Sequence, residues 1–189
     1  MLELVLARHG QSYSNLDRSL GPDTGLTDLG REQAERLGNW LAGRGYAFTA
    51  LFCSPLHRAR ETSEIINRHF GLEIIFDPDL RESEGNHLIG LPRRATPLDA
   101  EPRPPFGAEY QDDYERVNRV TERILSEASE GQVLVVAHAG SLGTMLRCIL
   151  RSHALLVHTE LAALHGLRWR DGLWSLQFVN RQEHLIQRA

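Results

Sequence analysis

The chain has 189 residues, 41% hydrophobic and 24% charged, proportions typical of a soluble globular domain of ordinary size. Its formal net charge of −4 excludes a broad surface for nucleic acid or anionic membrane, so any attraction to anions is local. All 21 basic residues are arginine, and composition bias is the plain account of that.

Leu2 to Ala7 is apolar and β-prone, which predicts a buried first strand. It ends in Arg8, His9 and Gly10 side by side, an awkward strand tip unless something anionic sits there. Leu29, Ala34, Leu37 and Leu41 recur at helical spacing and predict a helix from Thr27 to about Ala42, with Thr27 as its cap and Gly43 and Gly45 ending it. Ala50 to Cys53 reads as a second strand. Ser54 at the N-cap and Pro55 after it predict a helix running to about Phe70 and stopped by Gly71. Glu73 to Phe76 reads as a third strand. Residues 83–107 are proline-rich and irregular, the kind of long loop that is functional or disordered when it occurs inside a compact domain. Ala108 to Ser129 follows as a polar helix with Tyr110, Tyr114, Val117, Thr121, Ile124 and Leu125 on one face. Gln132 to Ala137 is the most apolar strand, and Gly140 to Arg151 is a helix. Leu161–Arg170 and Leu173–Asn180 flank Asp171-Gly172, a hairpin signal.

Strands alternating with helices, closed by a hairpin, predict an α/β fold: a three-layer α/β/α sandwich with a mostly parallel mixed sheet and an antiparallel edge. No repeat or linker divides the chain, so one domain over 1–189 is expected, with residues 83–107 as a substrate-side loop. Cys53 and Cys148 sit in apolar contexts without metal-like spacing, and reduced core thiols are expected. No apolar run approaches the roughly 20 residues that span a bilayer. The N-terminus reads directly into a strand with no charged leader, so the expected compartment is the cytoplasm.

Ligands of such sheets bind beyond the carboxyl ends of the strands. Those ends carry Arg8 and His9, then Ser54 with Arg58 one turn into the next helix, then Glu82 in LRESEG, then His138 after VLVVA. Two histidines, two arginines and a carboxylate are thereby directed to one rim. Guanidinium forks match tetrahedral oxyanions and stay charged. A histidine among them can attack phosphorus. Phosphoryl transfer otherwise needs alignment and charge stabilisation, which Arg8, Arg58 and a protonated His138 would supply without a metal. Glu82 would protonate the leaving oxygen and then activate water. Taken singly, each residue has a plainer role: Arg8 in an ion pair, His138 as a hydrogen-bonded core histidine, Arg58 and Arg60 as solvated helix charges, Glu82 as a surface carboxylate. Their joint occurrence at successive strand ends argues for the site.

The segments RHGQSYSN, GLTDLGREQA, SPLHRARET, VVAHAGSL and NRQEHL together resemble the opening motif, the LTxxGxxQA helix start, SPLxRAxxT, the late strand–histidine–glycine motif and the closing Asn…His-Leu of the histidine phosphatase superfamily, the clan that includes cofactor-dependent phosphoglycerate mutases. The resemblance covers nearly the whole chain. It implies His9 as the phosphorylated nucleophile, Arg8, Arg58 and His138 as phosphate ligands, and Glu82 as proton donor. Gln11, Ser12, Asn15, Arg60 and Ala139 fall on the phosphate and substrate side of the same pattern. His184 and Leu185 are assigned to packing, and His57, His69, His153 and His158 to non-catalytic roles. The sequence departs from the pattern at Gln11, where Glu is usual, and at Ala139, where Gly is common. GAEYQDDYERV stands where many members carry GES, HTELA replaces an Asn-containing segment near residue 160, and the Trp-Glu-Gly often found after the proton donor is missing. These last differences fall where the organic part of a substrate would bind.

A phosphomonoesterase acting on a small phosphate ester is the favoured function, because mutases of the clan carry a longer insertion after the proton donor. A phosphoglycerate mutase is the alternative, and a catalytically silent binding domain the third. No cofactor and no metal are expected. Arg93, Arg94 and Arg103 either touch an anionic substrate or are solvated. Leu88, Ile89 and Leu91 either wall the pocket or join the core. A homodimer through the edge of the C-terminal hairpin is possible on this reading.

Overall fold

A computed structural model of the chain describes residues 1–83 and 90–186. Leu88 and Ile89, named above as a candidate apolar wall, lie outside the described residues. The strands are β1 (Leu2–Arg8), β2 (Phe48–Cys53), β3 (Ile74–Phe76), β4 (Gly131–Ala137), β5 (Leu164–Arg170) and β6 (Leu173–Arg181). The helices are α1 (Tyr13–Leu16), α2 (Asp28–Gly43), α3 (His57–Asn67), α4 (Ala108–Glu127) and α5 (Ala139–Leu150).

The six strands form one sheet in the order β3-β2-β4-β1-β5-β6. β3, β2, β4 and β1 are mutually parallel, and β5 and β6 form an antiparallel hairpin at one edge. Asp171 and Gly172 turn that hairpin with φ of 53° and 78°, a turn that favours this residue pair.

β1 is uniformly apolar because both of its faces are covered. Leu2, Leu4 and Leu6 pack with Val117, Val120 and Ile124 of α4 and Leu142, Met145 and Leu146 of α5. Val5 and Ala7 pack with Leu37 and Leu41 of α2 and Ala59 and Ile66 of α3. The sheet is therefore the middle layer of three. Among the described residues no helix is long and apolar enough to cross a membrane. Cys53 and Cys148 are free thiols in the interior, and burial pushes both up to about 12.

Two sequence-based expectations need correction. Leu29 is half exposed, because it lies at the solvent side of the first turn of α2, and the buried stripe is completed by Gly30, Ala34, Leu37, Gly38 and Leu41 instead. Ser54 and Pro55 precede α3 rather than start it. The helix begins at His57 with Leu56 at the N-cap, and the Ser54 hydroxyl is engaged elsewhere.

The Thr27 cap is present, its hydroxyl accepting from the Gly30 amide at 3.1 Å. The same turn is stitched to the loop after β1, where the Thr27 amide donates to the Gln11 carbonyl at 2.9 Å. Gly30 permits that contact: a Cβ there would lie 1.9 Å from the Gln11 carbonyl oxygen, and one on Gly10 would lie 2.4 Å from the carbonyl oxygen of Gly30. Both obstacles are backbone and cannot swing aside. Gly30→Ala is expected to cost about 3 kcal/mol of stability, as overpacking does, and to lower turnover by displacing the loop that follows His9. Urea denaturation and steady-state kinetics on the same preparation check this.

Candidate active site

The pairing of β1 with β4 puts Arg8 opposite Ala137, so the residues just beyond, His9 and His138, emerge side by side. The His9 amide extends the ladder by donating to the Ala137 carbonyl at 3.1 Å. The two imidazole centroids are 5.0 Å apart. β2 ends level with them, its Cys53 opposite Val136, and delivers Ser54 to the same rim.

The His9 ring is almost wholly buried, and its Nδ1 lies 2.7 Å from the Gly10 carbonyl oxygen. A carbonyl only accepts, so Nδ1 carries the proton and Nε2 keeps its lone pair. Arg58 Nε donates to that lone pair at 3.0 Å. Arg58 stands in the first turn of α3, and Thr62 one turn later ties helix and loop together: its hydroxyl donates to the Arg58 carbonyl at 2.7 Å and accepts from the Gly10 amide at 3.1 Å. On the other side, Arg8 donates to the Thr159 carbonyl at 2.6 Å, while its Nε is buried without a partner. Among the described residues both guanidinium groups are thus held by backbone carbonyls, Arg58 by that of Pro22, and not by carboxylates.

His138 is fully buried, its Nε2 lying 2.7 Å from the Ser54 hydroxyl. Its backbone amide donates to Ser141 at 3.2 Å at the start of α5. Glu82 turns one carboxylate oxygen onto the amides of Gly140 and Ser83, each at 3.0 Å. The first-turn amide of α5 thus helps hold the Glu82 carboxyl group in place.

Burial, reinforced by the Arg58 and Arg8 charges, pushes the His9 pKa well below the usual imidazole value. Burial, then His9, Arg58 and Arg8, does the same to His138. Both rings are therefore neutral near pH 7 in the ligand-free protein. This suits a nucleophile at position 9 and corrects the expectation of a protonated His138, whose charge is disfavoured until an anion enters. Burial also lowers the pKa values of Arg8 and Arg58, with Glu82 opposing it, yet guanidinium starts so high that both stay charged.

Part of this cluster opens into a cavity of about 1010 Å³, while His138 and Ser54 are fully buried behind it and do not line it. Arg8, His9, Arg58 and Glu82 form its floor and wall, with Asn15 and Ala139 also lining it. Gln11, Ser12 and Arg60 do not line it. Gln11 is occupied with Thr27 and Gln33. Ser12 is buried and bonded to Asn15 at 2.8 Å. Arg60 lies over the Phe76 ring at 4.2 Å. Arg93 and Arg94 border a separate hollow of about 530 Å³ with Leu91, Arg94 paired to Glu101, and Arg103 borders neither. Among the described residues no group of three or more His, Cys, Asp or Glu could hold a metal ion.

Several wall residues were not singled out in the sequence: Arg18, Arg81, Leu156, Val157, Thr159 and Glu160, while His158 was set aside as non-catalytic. The departure at HTELA was the available signal for the last group, since it marks the 158–162 segment as this chain's own.

His165 was likewise passed over. It is fully buried on β5, its Nδ1 accepting from the Asn180 amide at 3.2 Å, so its Nε2 donates to the Thr159 hydroxyl at 3.0 Å. Burial lowers its pKa to about 4. The unfolded chain takes up this proton near pH 6.5 and the folded chain only near pH 4, so stability is lost as pH falls through that window. His165 alone accounts for about 2–3 kcal/mol of the loss by about pH 4.5. Urea melts at about pH 7 and pH 4.5 should show a smaller acid loss in His165→Gln than in the parent chain.

The profile of the histidine phosphatase superfamily (branch 1) matches residues 4–182. The bifunctional protein Rv2228c of Mycobacterium tuberculosis is 30% identical over 199 residues, covering 96% of this chain and 54% of its own length. This chain thus spans about half the length of that relative. A 2,3-bisphosphoglycerate-dependent phosphoglycerate mutase of Methylorubrum extorquens is 36% identical over 162 residues, 76% of each chain. In the crystal structure of a putative α-ribazole-5′-P phosphatase from Escherichia coli the same fold recurs, with a TM-score of 0.77 at 22% identity, over 96% of this chain and 98% of that one.

Proposed function

The chain belongs to the histidine phosphatase superfamily, and from that premise we propose that it is a phosphomonoesterase that hydrolyses a small phosphorylated metabolite through a phosphohistidine on His9. One observation carries the reading: a buried guanidinium, Arg58, and a partly buried one, Arg8, both held by carbonyls, flank a neutral imidazole on the cavity lining whose Nε2 lone pair accepts from Arg58. Cations withdrawn from solvent without a carboxylate partner make an anion site, and the lone pair supplies a nucleophile within it.

In the first step the phosphate group enters between Arg8 and Arg58 and draws the Arg58 guanidinium from Nε2 onto its oxygens. His9 Nε2 then bonds to phosphorus while the bond from phosphorus to the ester oxygen breaks. Glu82 gives its proton to the departing oxygen, and the alcohol leaves. In the second step the Glu82 carboxylate takes a proton from water, whose oxygen bonds to phosphorus as the P–N bond breaks. Inorganic phosphate leaves, and His9 is again neutral with Glu82 protonated. His138 and the two arginines stabilise the oxygens throughout, and the reading calls for no metal. Arg18 and Arg81 on the wall suit an anionic substrate, and Leu156 and Val157 give apolar surface to its carbon skeleton. The buried free thiols suit a reducing compartment, the cytoplasm.

The mutase reading is favoured by the 36% identity to the Methylorubrum extorquens enzyme. The roomy cavity favours water as acceptor and hence hydrolysis. Incubation with 3-phosphoglycerate and a bisphosphoglycerate primer, beside a panel of phosphorylated metabolites, separates the two. Release of free phosphate is the expected result, and isomerisation without net phosphate release would replace phosphatase with mutase.

A further inference from the structure

The position of Glu82 has an explanation that lies outside the cavity. The chain leading to it, residues 77–83, is gripped along one side of α4. Arg123 pairs with Asp77, and Arg119 with Asp79 at 3.5 Å. Arg116 donates to the carbonyls of Asp79 and, at 3.0 Å, of Arg81. Nearest the site stands Asp113. One of its oxygens is paired with Arg116. The other accepts from the hydroxyls of Ser83 at 2.9 Å and Thr144 at 3.2 Å. Thr144 lies on α5, one turn beyond Gly140, whose amide donates to Glu82. A single carboxylate thus ties the residue next to Glu82 to the helix whose amide holds Glu82, and the Arg116 guanidinium locks that carboxylate in orientation.

We propose that Asp113, braced by Arg116, is a positioning residue for proton transfer: it fixes Ser83, and through it the Glu82 carboxyl, at the place where the ester oxygen departs. This rests on the reading of Glu82 as the proton donor. Asp113 does not line the cavity, so it can act on the reaction only through the residues it holds, Ser83 among them lining the cavity beside Glu82. A proton donor matters most when the leaving group is poor, because an alkoxide must be protonated as it departs whereas a nitrophenolate need not be. A merely structural residue would show no such preference.

The test is a leaving-group comparison of kcat/KM, which reports the step that expels the alcohol, on p-nitrophenyl phosphate and on an alkyl ester such as glycerol phosphate. In Asp113→Ala the alkyl ester should lose about thirtyfold and the aryl ester no more than about threefold, because a misplaced group costs rate only where it acts. Asp113→Asn keeps one carbonyl for Ser83 but turns an amide N–H toward Arg116 or toward the hydroxyls, and should show the same selectivity at smaller size. Ser83→Ala removes the direct tie and should show it too; if Asp113→Ala does not fold, these two variants decide the question. Glu82→Gln is the control and should be the most leaving-group-selective of all. Equal losses on both esters, or none, in the Asp113 and Ser83 variants overturn the inference while a selective Glu82→Gln keeps the proton-donor reading. An unselective Glu82→Gln overturns that reading itself.

Discussion

His9→Ala is expected to lower phosphate-ester hydrolysis by about 10⁴-fold or more while the protein stays folded, since removal of a covalent nucleophile removes the two-step route entirely. Among the described residues His138 is the imidazole packed beside His9, but its centroid is 5.0 Å away and its Nε2 is engaged with Ser54. The fold should tolerate the change for an electrostatic reason. His9 is buried beside two charged guanidinium groups, and the truncation leaves the β1–β4 ladder intact because the His9 amide, not its ring, bonds Ala137. The cavity left behind costs about 1–3 kcal/mol, within the stability of an ordinary domain. Turnover of p-nitrophenyl phosphate together with a thermal melt checks both halves. Full hydrolysis by a folded His9→Ala protein would remove His9 from the mechanism.

Arg58→Ala is expected to cost about 10²–10³-fold in kcat/KM, the range for loss of one charged donor to a transition-state oxyanion. The residue does two things. It offers a permanent positive charge to the phosphate, and its Nε orients the His9 ring through a 3.0 Å hydrogen bond. Lysine cannot reproduce both, because an ammonium is a single point of charge without the planar fork, so Arg58→Lys should recover only a small part of the rate. The variant also carries a pH signature. Burial is the largest cause of the low His9 pKa and the Arg58 charge the next, so removing that charge lets the pKa rise toward its ordinary value. His9 must be neutral to attack, and the acidic limb of the kcat/KM profile should therefore move to higher pH. A rate profile unchanged in height and position would contradict both roles.

The strand-end residues were legible in the sequence because each is covalently next to its strand: His9 follows LVLAR, His138 follows VLVVA, and Arg58 lies one helical turn past Ser54. Parallel strands then bring these ends level without further information. What was not legible depends on contacts distant in sequence. Ser54 looked like a helix cap from its neighbour Pro55, but its hydroxyl is used by His138, 84 residues away. Gln11 and Ser12 sit beside the nucleophile in sequence, yet the chain turns after Gly10 and their side chains go to Thr27 and Asn15. The neutral state of His138 follows from complete burial next to cations, a tertiary property that no motif displays. Arg8 is steadied by the carbonyl of Thr159, 151 residues on, and Thr159 in turn by His165. Asp113 lies in a helix whose apolar face could be read from its spacing, whereas its tie to Ser83 could not.

The most direct measurement is a rapid-quench experiment in which the protein is mixed with a phosphate ester, stopped in alkali and digested for mass spectrometry. The account predicts one phosphoryl group, stable to alkali and labile to acid, on the imidazole of His9, formed and discharged at rates compatible with turnover. Hydrolysis that proceeds without any protein-bound phosphate, or with phosphate carried on another residue, would contradict it.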